Sequence, residues 1–356
     1  MHLLGIDILR GIAVSTVVIY HFYILLGYAT HGSFRYIHSL GELGVSLFFV
    51  ISGYLIYRSV EHHITHKGTR LGIQSYTIHR LFRILPAYYF NLFIVVLLAY
   101  FVLHTIDEWS FFLRFKKILT HLTLSSYFLY QTSGFEINGA YWTLSIEMLW
   151  YILAPLFFLY IRTNKTLVFL SLLSFLYLLS IDLGFAAWLF HLDKPYFLSF
   201  QLPGQLIYFI SGILIYKMGI HSSQLSPISK YFFGAIILIL FLYLSSEPFF
   251  HTSFFLRNFF IVLTVSTIFI LFYQYHTKKL SILSWIGKIS YSLYLWHMPL
   301  LFLLKKYLLV YDFSLTMIIT IFLCSLFSIS ACSYYVIEEG GFTLRKKFEN
   351  RFKDAK

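Results

Sequence analysis

Apolar residues run along this chain in blocks, and charged residues gather between them. Stretches 11–29, 84–103, 195–216, 258–275 and 313–337 contain no Asp, Glu, Lys or Arg. Runs of about 17–25 predominantly apolar residues have the length a helix needs to cross a bilayer. The pattern predicts ten spans, centred on residues 7–29, 41–57, 84–103, 143–161, 166–183, 200–217, 231–246, 256–275, 289–304 and 313–336. The expected fold class is therefore all-α, a polytopic transmembrane helical bundle. Residues 118–130 are also charge-free, but they are short and rich in Ser, Thr and His, and read as a re-entrant or interfacial piece. No repeat, low-complexity tract or Pro/Gly-rich linker divides the chain. Residues 1–340 read as one transmembrane domain and residues 341–356 as a basic cytoplasmic tail.

Composition sharpens this reading. The chain is 59% hydrophobic, 21% aromatic and only 12% charged, against about 25% charged in soluble domains. A net charge of +12 could suit a nucleic acid, but topology accounts for it, and no nucleic-acid partner is expected. With a cytoplasmic N-terminus, eighteen Lys and Arg fall in inside segments and eight in outside loops, so both termini are expected in the cytoplasm. Cys324 and Cys332 lie in the last apolar run and suggest neither a disulfide framework nor a metal site. The first run carries Arg10 near its start and has no small-residue cleavage site at its end, so it reads as a retained span.

Ionisable groups inside spans are costly, at about 2.5–3.5 kcal/mol on insertion scales, and each one calls for a reason. On the first span, Arg10 and His21 are eleven residues apart. A helix places them on one face, about 16 Å apart. Asp7 lies one turn from Arg10 and can pair with it, as part of a site or as an interfacial ion pair alone. A neutral imidazole at His21 can take a proton from a hydroxyl. Glu147 sits in Tyr141-Trp142-Thr143-Leu144-Ser145-Ile146-Glu147, where an unpaired carboxylate would be expensive. It can orient an imidazole or serve as a packing acid held by Tyr or Ser. Arg80 and Arg83, three apart before an apolar run, suit phosphate oxygens, lipid headgroups or topology alone. Ser290, Tyr294 and His297 form a polar stripe at i, i+4 and i+7 that could line a cavity. His62, His63 and His66 have metal-like spacing without a supporting carboxylate or thiolate, so no metal is expected. Phosphate-binding glycine loops, G-x-S-x-G and H-E-x-x-H are all absent from the sequence.

Five segments in order resemble the integral membrane acyltransferase 3 family of bacterial polysaccharide O-acyltransferases. They are Gly5-Ile6-Asp7-Ile8-Leu9-Arg10-Gly11-Ile12-Ala13 with the ten-residue gap to His21; Gly44-Val45-Ser46-Leu47-Phe48-Phe49-Val50-Ile51-Ser52-Gly53; Arg80-x-x-Arg83 with Pro86; Trp142-Thr143-Leu144-x-x-Glu147; and Ser290-Tyr291-Ser292-Leu293-Tyr294-Leu295-Trp296-His297. The resemblance implies acyl transfer, most often acetyl, from acyl-CoA to a hydroxyl of a surface glycan or its lipid-linked precursor at the cytoplasmic (inner) membrane. It implies that Arg10 and His21 are essential and that Arg80 and Arg83 serve the donor. The family often has an acid where this chain has Ser46, which leaves Glu147 as the clearest membrane carboxylate. The chain ends soon after the tenth span, so the additional esterase-like domain of some relatives is expected to be missing.

The expected mechanism has Arg80 and Arg83 holding the donor phosphates. His21, oriented by Glu147 or another acceptor, deprotonates the acceptor hydroxyl, and Arg10 orients the donor or stabilises developing charge. An acyl-histidine intermediate is the alternative route. Asp7, Trp142, Ser290, Tyr294 and His297 are candidates for the substrate cavity. The rival function is a transporter or flippase of a glycolipid or acyl-carrying substrate.

Overall fold

The computed structural model describes residues 4–25, 27, 37–104, 110–133, 137–161, 163–219, 226–244, 253–273, 280–307 and 313–354. Arg35, Arg162, Lys278, Lys279 and Lys356, which enter the charge count, lie outside the described residues, as do the far ends of the first, seventh and eighth expected spans. Among the described residues there is no strand. The helices, in chain order, are α1 (Leu4–Leu25), α2 (His38–Lys67), α3 (Thr69–Leu98, with a π-helical turn at Ala99–Leu103), α4 (Phe111–Leu122), α5 (Tyr141–Tyr160), α6 (Asn164–Asp182), α7 (Phe185–Phe190), α8 (Pro195–Ser199), α9 (Leu202–Lys217), α10 (Pro227–Leu244), α11 (Phe254–Tyr273), α12 (Ser281–Lys288), α13 (Ser290–Tyr307), α14 (Leu315–Ser333) and, after a π-helical turn at Tyr334–Glu338, α15 (Glu339–Asp354).

Eight helical segments are long and apolar enough to cross a membrane: Leu4–Leu25, Ser39–Lys67, Thr69–Leu103, Tyr141–Tyr160, Asn164–Asp182, Pro195–Lys217, Phe254–Tyr273 and Leu315–Glu349. The protein is thus an all-α polytopic bundle. The expected spans at 231–246 and 289–304 fall on α10 and α13. The apolar part of α10, Ile228–Tyr243, is shorter than the eight, and α13 carries Ser290, Ser292, His297, Lys305 and Lys306. The segment expected at 118–130 is only partly helical. It holds the end of α4, a 12-residue helix that is too short to span at about 1.5 Å per residue.

Local chemistry sets several helix ends. Ser110 and Ser314 accept hydrogen bonds from the Leu113 and Met317 amides, each at 3.3 Å, and so cap α4 and α14. Asp182 accepts from the Phe254 and Phe255 amides at 2.7 and 3.0 Å, supplying the first turn of α11 with a carboxylate. Gly68, at φ 74°, separates α2 from α3 in a backbone region that side chains avoid.

The chain divides into two compact units, Met1–Ser59 with Ile152–Lys288, and Val60–Tyr151 with Ile289–Lys356. In the first, α2 and α9 cross at glycines. A Cβ on Gly53 would strike the Phe209 carbonyl oxygen, and one on Gly212 the Val50 carbonyl oxygen. Small residues let membrane helices approach this closely, where dispersion replaces the missing hydrophobic drive. The Tyr54 hydroxyl donates to that of Tyr273 at 2.8 Å, and Tyr208 to Asn258 Oδ1 at 2.6 Å, so these four polar side chains find partners inside the unit. In the second unit, Asn91 Oδ1 accepts from the Tyr141 hydroxyl at 2.6 Å, and Asn138 Nδ2 donates to the Leu295 carbonyl at 3.0 Å.

Candidate functional site

The N-terminal half of α1 is held by close backbone contact. Cβ atoms added at Gly5, Gly11 and Gly287 would overlap the carbonyl oxygens of Tyr273, Leu283 and Asp7 respectively, so α11 and α12 lie against α1 with no side chain between them. This contact buries Asp7, while Arg10, one turn on, is half-buried. His21, near the other end of the helix, is half-buried too. Its Nδ1 lies 3.0 Å from the Val17 carbonyl oxygen. A carbonyl only accepts, so Nδ1 carries the proton, and in the neutral ring the basic lone pair is on Nε2. The tautomer is fixed within α1 itself. The Tyr20 ring meets His21 edge-on at 5.0 Å between centroids and packs where a Cβ on Gly41 would stand.

The same unit holds an ion pair that the sequence reading missed. Arg257, at the start of α11, donates through Nη2 to Glu42 Oε1 of α2. Glu42 lies one turn before Ser46, so the helix that carries Ser46 also carries a carboxylate. A lone acid opening one apolar run and a lone arginine opening another were the available signal.

The second unit gathers Arg80, Arg83, Glu147, Trp142, Ser290, Tyr294 and His297. Arg80 is buried, its guanidinium carbon 5.8 and 5.5 Å from the ring centroids of Tyr76 and Tyr151. Tyr151 also donates its hydroxyl to Glu147 Oε1 at 2.8 Å, and so touches both the cation and the carboxylate. Arg83 is half-buried. Tyr294 shares a 2.8 Å hydroxyl hydrogen bond with Thr143, and His297 Nδ1 donates to the Tyr294 carbonyl at 2.7 Å. Ser290 and His297 are fully buried, and Trp142 packs on Tyr127 at 5.6 Å. Glu338 is a second buried carboxylate that the sequence reading passed over. It accepts from Ser292 Oγ at 2.5 Å, in a π-helical turn of the kind often found at functional sites. Among the described residues no three His, Cys, Asp or Glu side chains are grouped to hold a metal ion. His66 Nδ1 instead donates to the His62 carbonyl at 2.8 Å.

Comparison with known proteins places these residues in a family context. The chain is 27% identical over 336 residues to YrhL of Bacillus subtilis (strain 168), a candidate peptidoglycan O-acetyltransferase, with 84% of this chain and 48% of that protein aligned. It is 27% identical over 335 residues to the O-acetyltransferase OatA of Staphylococcus aureus (strain NCTC 8325 / PS 47), covering 86% of this chain and 52% of that one. The chain thus spans about half the length of the curated relatives it matches. No solved structure matches it. The family model described as an acyltransferase domain matches residues 3–338, a stretch that contains every candidate above, and the chain belongs to this acyltransferase 3 family.

Proposed function

We infer that the chain O-acetylates a hydroxyl of a cell-surface glycan, or of its lipid-linked precursor, at the cytoplasmic membrane with acyl-CoA as donor. The observation that carries this reading is the His21 bond to Val17, which leaves Nε2 as the basic nitrogen of an imidazole in a membrane helix. A neutral base of this kind removes the proton from the acceptor hydroxyl as oxygen attacks the thioester carbonyl. The oxygen–acyl bond forms, the carbon–sulfur bond breaks, and coenzyme A leaves as the thiol. Arg10, further along the same face of α1, orients the donor. Arg80 and Arg83 hold donor phosphates by charge-assisted hydrogen bonds, and Glu147, through Tyr151, positions the Arg80 end of that group. Peptidoglycan is the acceptor class suggested by the name of the Bacillus relative.

Reconstitution in liposomes with acetyl-labelled acetyl-CoA and peptidoglycan fragments tests the reading. Ester-linked label on the fragments that disappears with His21→Ala supports it. Label crossing the bilayer without becoming esterified would mean that the chain is a carrier of acyl groups and not the transferase.

A further inference from the structure

Outside the pairs described above, the second unit holds a group of basic side chains drawn from three helices. His79 of α3 lies within electrostatic range of Arg80 and Arg83 of its own helix, of His63 of α2 and of Arg345 of α15. The His63 and His79 rings meet at 5.8 Å between centroids. α15 is brought there by packing on α3: a Cβ on Gly341 would press on the Phe82 carbonyl and on Pro86, and Phe348 meets the Phe82 ring at 5.6 Å. Two donor-capable nitrogens in the group, His79 Nδ1 and Arg345 Nε, are buried and have no hydrogen-bond partner among the described residues. Arg345 reaches Glu349 of its next turn only loosely, at 3.9 Å.

The guanidinium groups here carry like charge and repel one another, and a buried N–H left unbonded loses its hydration without return. Both penalties are lifted by one multiply charged oxyanion, since phosphate oxygens take guanidinium N–H groups in short, paired bonds. We propose that Arg345 and His79 complete a phosphate-binding site with Arg83, closed by α15, and that its occupant is a phosphate group of the acyl-CoA donor. This rests on the donor reading given above, but α15 lies past residue 338, where the family match ends. Anionic lipid headgroups carry the same phosphate chemistry, and the test separates the two sources.

The probe is coenzyme A, titrated calorimetrically into full-length protein in phosphatidylcholine nanodiscs and, in parallel, in discs containing phosphatidylglycerol. Arg345→Gln, which keeps most of the packing stem, raises the dissociation constant for coenzyme A about tenfold or more, the span expected for losing a charge-assisted bond. Arg83→Ala does the same, while Glu349→Gln leaves binding unchanged or tighter. Wild-type binding of coenzyme A that weakens with Arg83→Ala but not with Arg345→Gln overturns the inference and leaves the donor reading standing. Equal weakening by Arg345→Gln and Glu349→Gln also overturns it, since the Arg345–Glu349 pair would then only staple the helix. An effect of Arg345→Gln confined to phosphatidylglycerol retention assigns the group to lipid and overturns it as well. Wild-type protein that binds no coenzyme A removes the donor reading and this inference together.

Discussion

Gly287→Ala puts one methyl group into the contact that seats α12 on α1 beside Asp7. The new Cβ would overlap the Asp7 carbonyl oxygen and stand 2.5 Å from its carbonyl carbon, where ordinary contact begins at 3.4 Å. The helices must therefore part by about 0.9 Å or more at this point. The obstructing atoms are backbone, so no side-chain rotation relieves them. Overpacking of a tight core costs about 1–3 kcal/mol, and an unyielding backbone contact belongs at the top of that range. Replacing a helical glycine by alanine returns about 0.8–1 kcal/mol of helix propensity. The net expectation is a destabilisation of about 2 kcal/mol. Gly340→Ala is the control, because it makes the same propensity change with nothing within 4 Å of the new methyl. Thermal unfolding of detergent-purified protein, followed by tryptophan fluorescence, should show Gly287→Ala melting well below wild type and Gly340→Ala at or slightly above it. Acyl transfer should fall with Gly287→Ala even below its melting temperature, because the displaced backbone carries Asp7 and, one turn on, Arg10. Equal melting of the two variants would refute the close-contact account of this end of α1.

Other expectations follow from single contacts. Glu42→Gln strands the Arg257 guanidinium and should destabilise the protein by about 1–3 kcal/mol, whereas Glu42→Gln with Arg257→Gln should cost less than the two single losses added. Additive melting shifts would show that the pair contributes no coupling. Tyr151→Phe removes the hydrogen bond to Glu147 and should lower turnover about as much as Glu147→Gln, with the double variant little worse; a multiplied loss would separate the two residues. His21→Ala and Glu147→Gln, by contrast, should multiply, because the Val17 carbonyl already fixes the imidazole, and a shared, non-multiplying loss would tie Glu147 to His21 directly. Arg83→Ala should raise the apparent constant for acyl-CoA about tenfold or more in well-folded protein; an unchanged constant removes Arg83 from the donor site.

The apolar blocks made the membrane helices legible, but not their full lengths. The third span was expected from residue 84, yet α3 begins at Thr69. Hydropathy marks where a helix can meet lipid, while backbone hydrogen bonding continues through Arg70, Arg80 and Arg83, which are good helix formers. The last span likewise runs on through a π-helical turn into α15. In the candidate site, the i, i+11 register of Arg10 and His21 was readable because it lies within one helix. Tyr151, four residues after Glu147, was readable by the same rule and was overlooked. The Glu42–Arg257 and Ser292–Glu338 partnerships join residues 215 and 46 positions apart. Such pairings depend on which helices become neighbours, and hydropathy says nothing about that. The glycines of the first motif show the converse case. Gly5 and Gly11 read as parts of a family signature, and their physical reason, helix contact without side chains, needed coordinates.

The proposed function turns on His21 as the base for acyl transfer to a glycan hydroxyl. It is tested most directly by the initial rate of ester formation on peptidoglycan fragments, using purified protein, acetyl-CoA and matched amounts of folded wild type and His21→Ala. Loss of a positioned general base predicts a rate lower by about 10²–10⁴ with donor binding intact. A His21→Ala protein that binds donor and forms the ester at the wild-type rate would contradict the account.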